Sequence, residues 1–249
     1  MSGHSKWANI KIKKGKADAA RGKVFSKIAK EMTVSARMGG GDPGGNITLR
    51  ALIVKAKSVN MPNDNIERAI KKGTGELESA ALEELTYEAY APGGVGIIIQ
   101  SLTDNKNRAA SEIRNACTKN GASMAQQGAV SRSFQRKGQI YIDAKGIDED
   151  ALMNIILEAG AEDMTRDGDQ FEVLTAFTDY SAVSEAISKA GIATVSSEIA
   201  MIPDMPVEIK DKEKAQQVMK IIDALEELDD VQNVYGAFEI PDAILAEME

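Results

Sequence analysis

The chain has 249 residues, of which 43% are hydrophobic and 27% charged, with a formal net charge of −8. That balance describes an ordinary globular protein, long enough for two or three domains, and excludes a disordered or fibrous chain. Its longest apolar stretch, at 95–99, is far too short for a membrane-spanning helix.

The net charge hides a sharp segregation. Residues 1–75 hold 16 Lys or Arg against 5 Asp or Glu, whereas the remaining 174 hold 14 against 33. A basic segment attached to an acidic body points to polyanion binding at the basic end. The N-terminus is polar and basic with no apolar core, so no secretory signal is expected. The single cysteine, Cys117, cannot form an intrachain disulfide, which fits a reducing compartment. The expected location is the cytoplasm.

The elements follow in chain order. Residues 1–16 are Lys-rich without apolar periodicity and read as a mobile arm. Val24, Phe25, Ile28 and Met32 then share one helical face, and Gly39-Gly40-Gly41 ends that helix. A second helix is expected over 47–59, with Leu49, Leu52, Ile53 and Ala56 as its apolar stripe. A third is expected over 64–72, carrying Ile66, Ala69 and Ile70 and stopping at Gly73. Three helices with short connections make a small bundle.

From Leu85 the period moves toward two. Strands are expected at 87–90 and 96–102 around Pro92-Gly93-Gly94, then a helix capped by Asp104 or Asn105 and ended by Gly121, then strands near 129–134. The next stretch reads strand 139–142, helix 148–158, strands 162–165 and 170–175 around Asp167-Gly168, helix 180–189 and strand 194–202. That order, βαββαβ, is the split βαβ of ferredoxin-like folds. A strand at 207–209, a helix at 212–228 and a strand at 231–238 complete the chain. These last elements are too few to bury a core alone, and those of 80–135 are also incomplete, so the two sets are expected to combine. The fold class is therefore α+β and multidomain. The expected division is a basic helical domain at 1–78, a discontinuous α/β domain at 79–136 plus 204–240, and an inserted ferredoxin-like domain at 137–203.

Catalytic constellations are missing from the sequence. There is one histidine, His4, in the arm, and one cysteine, whose place four residues after Ile113 on a helix suits burial. No His or Cys spacing fits a metal site, and neither glycine-rich stretch opens a helix as a phosphate loop does. The acidic run Glu226-Glu227-Leu228-Asp229-Asp230 reads as a solvated helix face. A non-enzymatic protein without cofactor, metal or small-molecule substrate is expected.

The basic region carries more. On a helix, Lys23, Lys27, Lys30 and Arg37 fall within an arc of about 80°, with Phe25, Ile28 and Met32 roughly opposite. The arm adds Lys6, Lys11, Lys13, Lys14 and Lys16, with Trp7 interleaved as a stacking platform, and Arg21 follows. Arg50, Lys55 and Lys71 continue the positive field on the other two helices. This is a nucleic-acid-binding set, and its charge serves DNA and RNA alike. A second candidate is an anion site at Asn105, Lys106 and Arg108, where a strand turns into a helix; the same residues also fit a plain N-cap.

At these residues the chain resembles a known family. Gly3-His4-Ser5-Lys6-Trp7-Ala8-Asn9-Ile10, Ala20-Arg21-Gly22-Lys23-Val24-Phe25 and Asn60-Met61-Pro62-Asn63-Asp64-Asn65-Ile66-Glu67-Arg68-Ala69-Ile70 are similar to motifs of the YebC/PmpR family of bacterial regulators. Ala89-Tyr90-Ala91-Pro92-Gly93-Gly94 and Thr103-Asp104-Asn105-Lys106-Asn107-Arg108 look like further family motifs, whereas Ser131-Arg132-Ser133 departs from the bulky residues often found there. The resemblance implies three domains, one α/β domain inserted in the other, and a non-enzymatic role in gene expression. It implies DNA-binding transcriptional regulation or, as for the related mitochondrial translational activator of cytochrome oxidase, a ribosome-associated factor that aids synthesis of proline-rich stretches. On that alternative the basic arm with Trp7 suits ribosomal RNA, and the acidic ferredoxin-like unit suits a basic partner such as a ribosomal protein.

Overall fold

The computed structural model describes residues 19–78 and 81–248. The chain divides into two compact units, one drawn from Met1–Lys27, Ala80–Gln135 and Ile202–Glu249 and the other from Ile28–Ser79 and Arg136–Met201. This division is coarser than the three domains read from the sequence. Helix α1 (Ala19–Gly39) supplies its residues up to Lys27 to the first unit and the rest to the second.

The first unit is built on a four-stranded sheet. Strands β1 (Glu83–Ala91) and β2 (Val95–Thr103) form an antiparallel hairpin in full register from Glu83↔Thr103 to Ala91↔Val95. Its three-residue loop puts Gly93 and Gly94 at φ 85 and 78, a region that residues with a Cβ avoid. Helix α4 (Lys106–Lys119) follows, capped by the Asn105 side chain on the Arg108 N–H. The two-residue β3 (Ser123–Met124) pairs on the outer side of β1, and β9 (Val231–Gly236) pairs antiparallel with β2, giving the order β3-β1-β2-β9.

Alternation along the strands sends Ala89, Ala91, Val95, Ile97 and Ile99 to one face. There they meet Ile113 and Cys117 of α4, and Val218, Ile221, Ile222 and Leu225 of α7 (Lys212–Glu226). The spacing of three and four on α7 makes that inward stripe. A parallel pair, β8 (Val207–Glu208) with β10 (Phe238–Glu239), and helix α8 (Asp242–Met248) close the unit. The single strand expected over 231–238 is thus divided: Phe238 leaves the main sheet to pair with Val207 and buries its ring in the same core.

The second unit carries the sheet β5-β6-β4-β7, from β4 (Phe134–Asp143), β5 (Ala161–Asp167), β6 (Gln170–Ala176) and β7 (Thr194–Pro203). Helices α5 (Glu149–Glu158) and α6 (Tyr180–Lys189) connect β4 to β5 and β6 to β7. Each crossover skips one strand, which is the split βαβ arrangement. Ile140, Ile142, Phe171 and Val173 meet Leu152, Ile156, Val183 and Ile187 in its core. Tyr180 packs over Gly138, where a Cβ would lie 2.5 Å from its ring, and its hydroxyl is 2.8 Å from the Ser197 hydroxyl.

Helices α2 (Ile47–Ser58) and α3 (Asn63–Thr74) belong to the same unit. Asn46 caps α2 through the Leu49 N–H and donates to the carbonyls of Ser35 and Gly40, which fixes the turn from α1. The Thr33 hydroxyl contacts the Ala69 carbonyl at 3.1 Å, so α1 and α3 approach closely.

Several local expectations need correction. Gly73 does not stop α3; it is buried inside the helix against α1, and the left-handed Gly75 ends it. On α2 Leu49, Leu52 and Ala56 are buried as expected, but Ile53 is only half-buried, and Ala51 is buried in addition, joining the core of the split βαβ sheet. Val24 is 38% exposed, and the buried face of α1 runs through Ile28, Met32 and Ala36. No strand forms over 129–133. Ser131–Ser133 make a 3-10 turn, and a single long β4 begins at Phe134.

Candidate nucleic-acid interface

Of the expected binding residues, Lys6, Trp7, Lys11, Lys13, Lys14 and Lys16 lie outside the described residues, as does the side chain of Arg21. The others fall in both units. Lys23 and Lys27 belong to the first, and Lys30, Arg37, Arg50, Lys55 and Lys71 to the second.

Lys23 and Lys27 are one helical turn apart on α1, and their ammonium groups meet the end of α7. Lys23 Nζ is 3.2 Å from the Glu227 carboxylate and 3.4 Å from that of Asp229, and it also donates to the Glu227 carbonyl. Lys27 Nζ donates to the Glu226 carbonyl at 2.7 Å. The acidic run is therefore not simply a solvated helix face. The helix stops at Glu226, and the next residues turn their oxygens toward the lysines.

In the second unit Arg50 donates to the carbonyls of Pro43 and Gly44 at 2.9 and 2.7 Å, so it braces the turn between α1 and α2. Lys55 pairs with Glu198 of β7 at 2.9 Å. Lys71 pairs with Glu67 one turn earlier at 2.6 Å; that contact holds the Glu67 carboxyl below its ordinary value and the Lys71 ammonium above its own. Lys30 is half-buried, and Arg37 is exposed on the last turn of α1.

The candidate anion site has a different local chemistry. Arg108 donates to Asp230 Oδ2 through Nε at 3.1 Å and Nη2 at 2.8 Å, and to Asp104 at 2.8 Å. Asp230 first, then Asp104, push the guanidinium above its already high ordinary value. The Thr103 hydroxyl donates to the same Asp230 oxygen at 3.0 Å. Lys106 pairs with Glu83, and the Asn105 side chain serves as the N-cap. An external anion at this helix start would compete with two carboxylates already on Arg108.

Three buried carboxylates escaped the sequence reading; one, Glu172 on β6, is 3% exposed and accepts the Gln139 amide and the Tyr141 hydroxyl. Asp230 is 5% exposed just before β9. Glu88, 3% exposed on β1, accepts the backbone N–H groups of Gly128, Val130 and Ser131 at 2.7, 2.6 and 3.1 Å. Burial alone would raise the Glu88 carboxyl, but the three N–H donors outweigh it and hold the group below its ordinary value. The available signal was a lone acid between Tyr87 and Ala89 within a strand.

A basic helical start followed by two four-stranded sheets, one a split βαβ, and a short two-stranded pair defines a class of multidomain α+β proteins without a recognisable catalytic cluster among the described residues. The TACO1/YebC protein N-terminal domain matches residues 5–76, and the TACO1/YebC second and third domain matches residues 82–238. The chain belongs to the TACO1/YebC family. It is 54% identical over 247 residues to a probable transcriptional regulatory protein of Desulfatibacillum aliphaticivorans, covering 99% of this chain and 100% of that one. A protein of the same description from Syntrophobacter fumaroxidans is 51% identical, with 98% of each chain covered. The crystal structure of a conserved hypothetical protein from Aquifex aeolicus superposes with a TM-score of 0.80 at 46% identity, covering 90% of this chain and 93% of that one. Among the described residues, no helix is long and apolar enough to cross a membrane.

Proposed function

We propose that this protein is a non-enzymatic, cytoplasmic regulator of gene expression that binds nucleic acid through its basic N-terminal segment, with duplex DNA as the target. The observation that carries the reading is the segregation of charge, 16 Lys or Arg against 5 Asp or Glu in residues 1–75 of a chain with net charge −8. The names of its relatives as probable transcriptional regulatory proteins support it. Lysines of this kind bind phosphates by releasing condensed counterions, so affinity falls with salt in proportion to the phosphates engaged. The proposed contacts are Lys6, Lys11, Lys13, Lys14, Lys16, Lys23, Lys27, Lys30 and Arg37, with Trp7 stacking on a base or sugar.

The test is binding of the full-length protein to labelled duplex DNA and to single-stranded RNA across a salt series. The wild type is compared with a variant carrying Gln at the five arm lysines. Duplex binding is expected to weaken by about 10²-fold or more at low salt, and the salt slope to fall by about 0.9 for each phosphate no longer engaged. Unchanged duplex binding would remove the basic segment from the interface. Binding to RNA in clear preference to duplex at equal salt would move the target to RNA.

A further inference from the structure

The same turn that ends α7 occupies two lysines that the nucleic-acid reading needs. We propose that the segment Glu226–Asp230 is a built-in competitor of nucleic acid: its oxygens sit on Lys23 and Lys27 where phosphates would bind, and a polyanion must displace them. The inference rests on the proposed nucleic-acid reading and adds its regulation.

Three observations carry it. The first is chemical equivalence. Lys23 faces the Glu227 and Asp229 carboxylates and the Glu227 carbonyl, and Lys27 faces the Glu226 carbonyl. Two ammonium groups one turn apart are thus met by a cluster of anionic and carbonyl oxygens, the kind of acceptor set that consecutive phosphates present.

The second is preorganisation. The Glu227 N–H bonds to Asp223 O at 3.0 Å, the Leu228 N–H to Leu225 O at 3.1 Å, and the Val231 N–H to Leu228 O at 3.2 Å. The Asp230 carbonyl accepts the Leu102 N–H at 2.9 Å, and its carboxylate is gripped by Arg108 and Thr103. Leu225 and Val231, on either side, are fully buried. The acids are therefore presented by a fixed turn, with little ordering cost when they meet the lysines.

The third is exposure. The Glu227 and Asp229 side chains are 81% and 88% exposed. Ion pairs in that setting are weak and screened by salt, so a ligand engaging several phosphates at once displaces them, while an isolated anion does not. The contact thus selects extended polyanions over small ones. This clasp sets a threshold.

The experiment uses full-length protein, labelled duplex DNA and single-stranded RNA, at about 50 mM and about 200 mM salt. Glu227→Gln/Asp229→Asn is compared with Glu84→Gln/Glu112→Gln, two exposed acids of the same unit whose replacement changes net charge equally. Both pairs are surface changes, and circular dichroism confirms folding. Releasing the clasp is expected to tighten binding by about three- to tenfold at low salt, with the gain shrinking at high salt. The gain should exceed that of the control pair and disappear when Lys23→Gln/Lys27→Gln is added. A gain no larger than the control, or one that persists without the lysines, overturns the clasp. If Lys23→Gln/Lys27→Gln leaves binding unchanged in the wild-type background while replacing the five arm lysines weakens it, the clasp fails and the broader reading stands. If neither weakens binding, both fail.

Discussion

Glu88 accepts the backbone N–H of Val130 at 2.6 Å, and through it the strand β1 holds a loop residue 42 positions further along the chain. The Val130 side chain lies over Gly96 of the neighbouring strand, where a Cβ would stand 2.8 Å from Cγ1. The Tyr90 hydroxyl donates to the Ala129 carbonyl at 3.1 Å. Together these contacts lay residues 128–131 across the sheet face opposite α4 and α7. A buried carboxylate is tolerated there because three N–H groups replace its lost water.

Glu88→Gln turns two acceptors into one and points an N–H2 group at backbone donors. A loss of about 1–3 kcal/mol at neutral pH is expected from chemical denaturation. The pH dependence follows from the direction of the shift. The folded carboxyl titrates below its unfolded value, so its contribution is complete above the ordinary carboxylate range near about 4.3 and is lost as pH falls through the lower folded value. The gap between wild type and Glu88→Gln should therefore narrow in acid. A gap that stays constant down to about pH 3 would show that the charge of Glu88 does not hold the loop.

Gly73→Ala sets two effects against each other. Alanine favours a helix by about 1 kcal/mol over glycine. Its Cβ would lie 2.4 Å from the Thr33 carbonyl oxygen and 2.6 Å from the Ala36 Cβ, both on the facing helix. Overpacking of that kind costs about 1–3 kcal/mol or more, and separating the helices also strains the Thr33–Ala69 contact. A lower urea midpoint with unchanged slope is expected. A raised midpoint would mean that α1 and α3 part easily.

Cys117 should be silent in the folded protein. It is fully buried beside Ile113, and burial pushes its thiol up to about 11. At about pH 8 a disulfide reagent is expected to label it only at the rate of opening, and stoichiometrically once denaturant is added. Rapid labelling of native protein would contradict the packing of α4.

Trp7 is the single tryptophan, so intrinsic tryptophan fluorescence reports on that position alone. If its ring stacks on a base, emission should quench on titration with oligonucleotide, and Trp7→Phe should weaken binding by less than about tenfold while abolishing the signal. Saturable binding by anisotropy with no change in emission would take Trp7 out of the interface.

Much of the fold was legible because its signals are short-range. Asn105 before α4, Asp148 before α5, the glycines after Pro92 and the hairpin glycine at 168 act within a few residues of themselves. The misreadings share one cause. Gly73 reads as a terminator until α1 lies against it, Ile53 as part of the apolar stripe of α2 until the split βαβ core takes Ala51 instead, and Phe238 as the end of a strand until Val207 offers a second partner. No local pattern carries those contacts.

The charges divide in the same way. Composition and order alone establish that one end of this chain is basic, that the rest is acidic, and which turn of α1 places Lys23 beside Lys27. They cannot assign partners, because a carboxylate in a run looks solvated whether or not a lysine waits for it. Glu227 lies 204 residues from Lys23, and only the packing of α7 against the β2–β9 sheet carries that acid to the helix. Side-chain charge is a property of the residue; which charge it meets is decided by where the core puts the backbone.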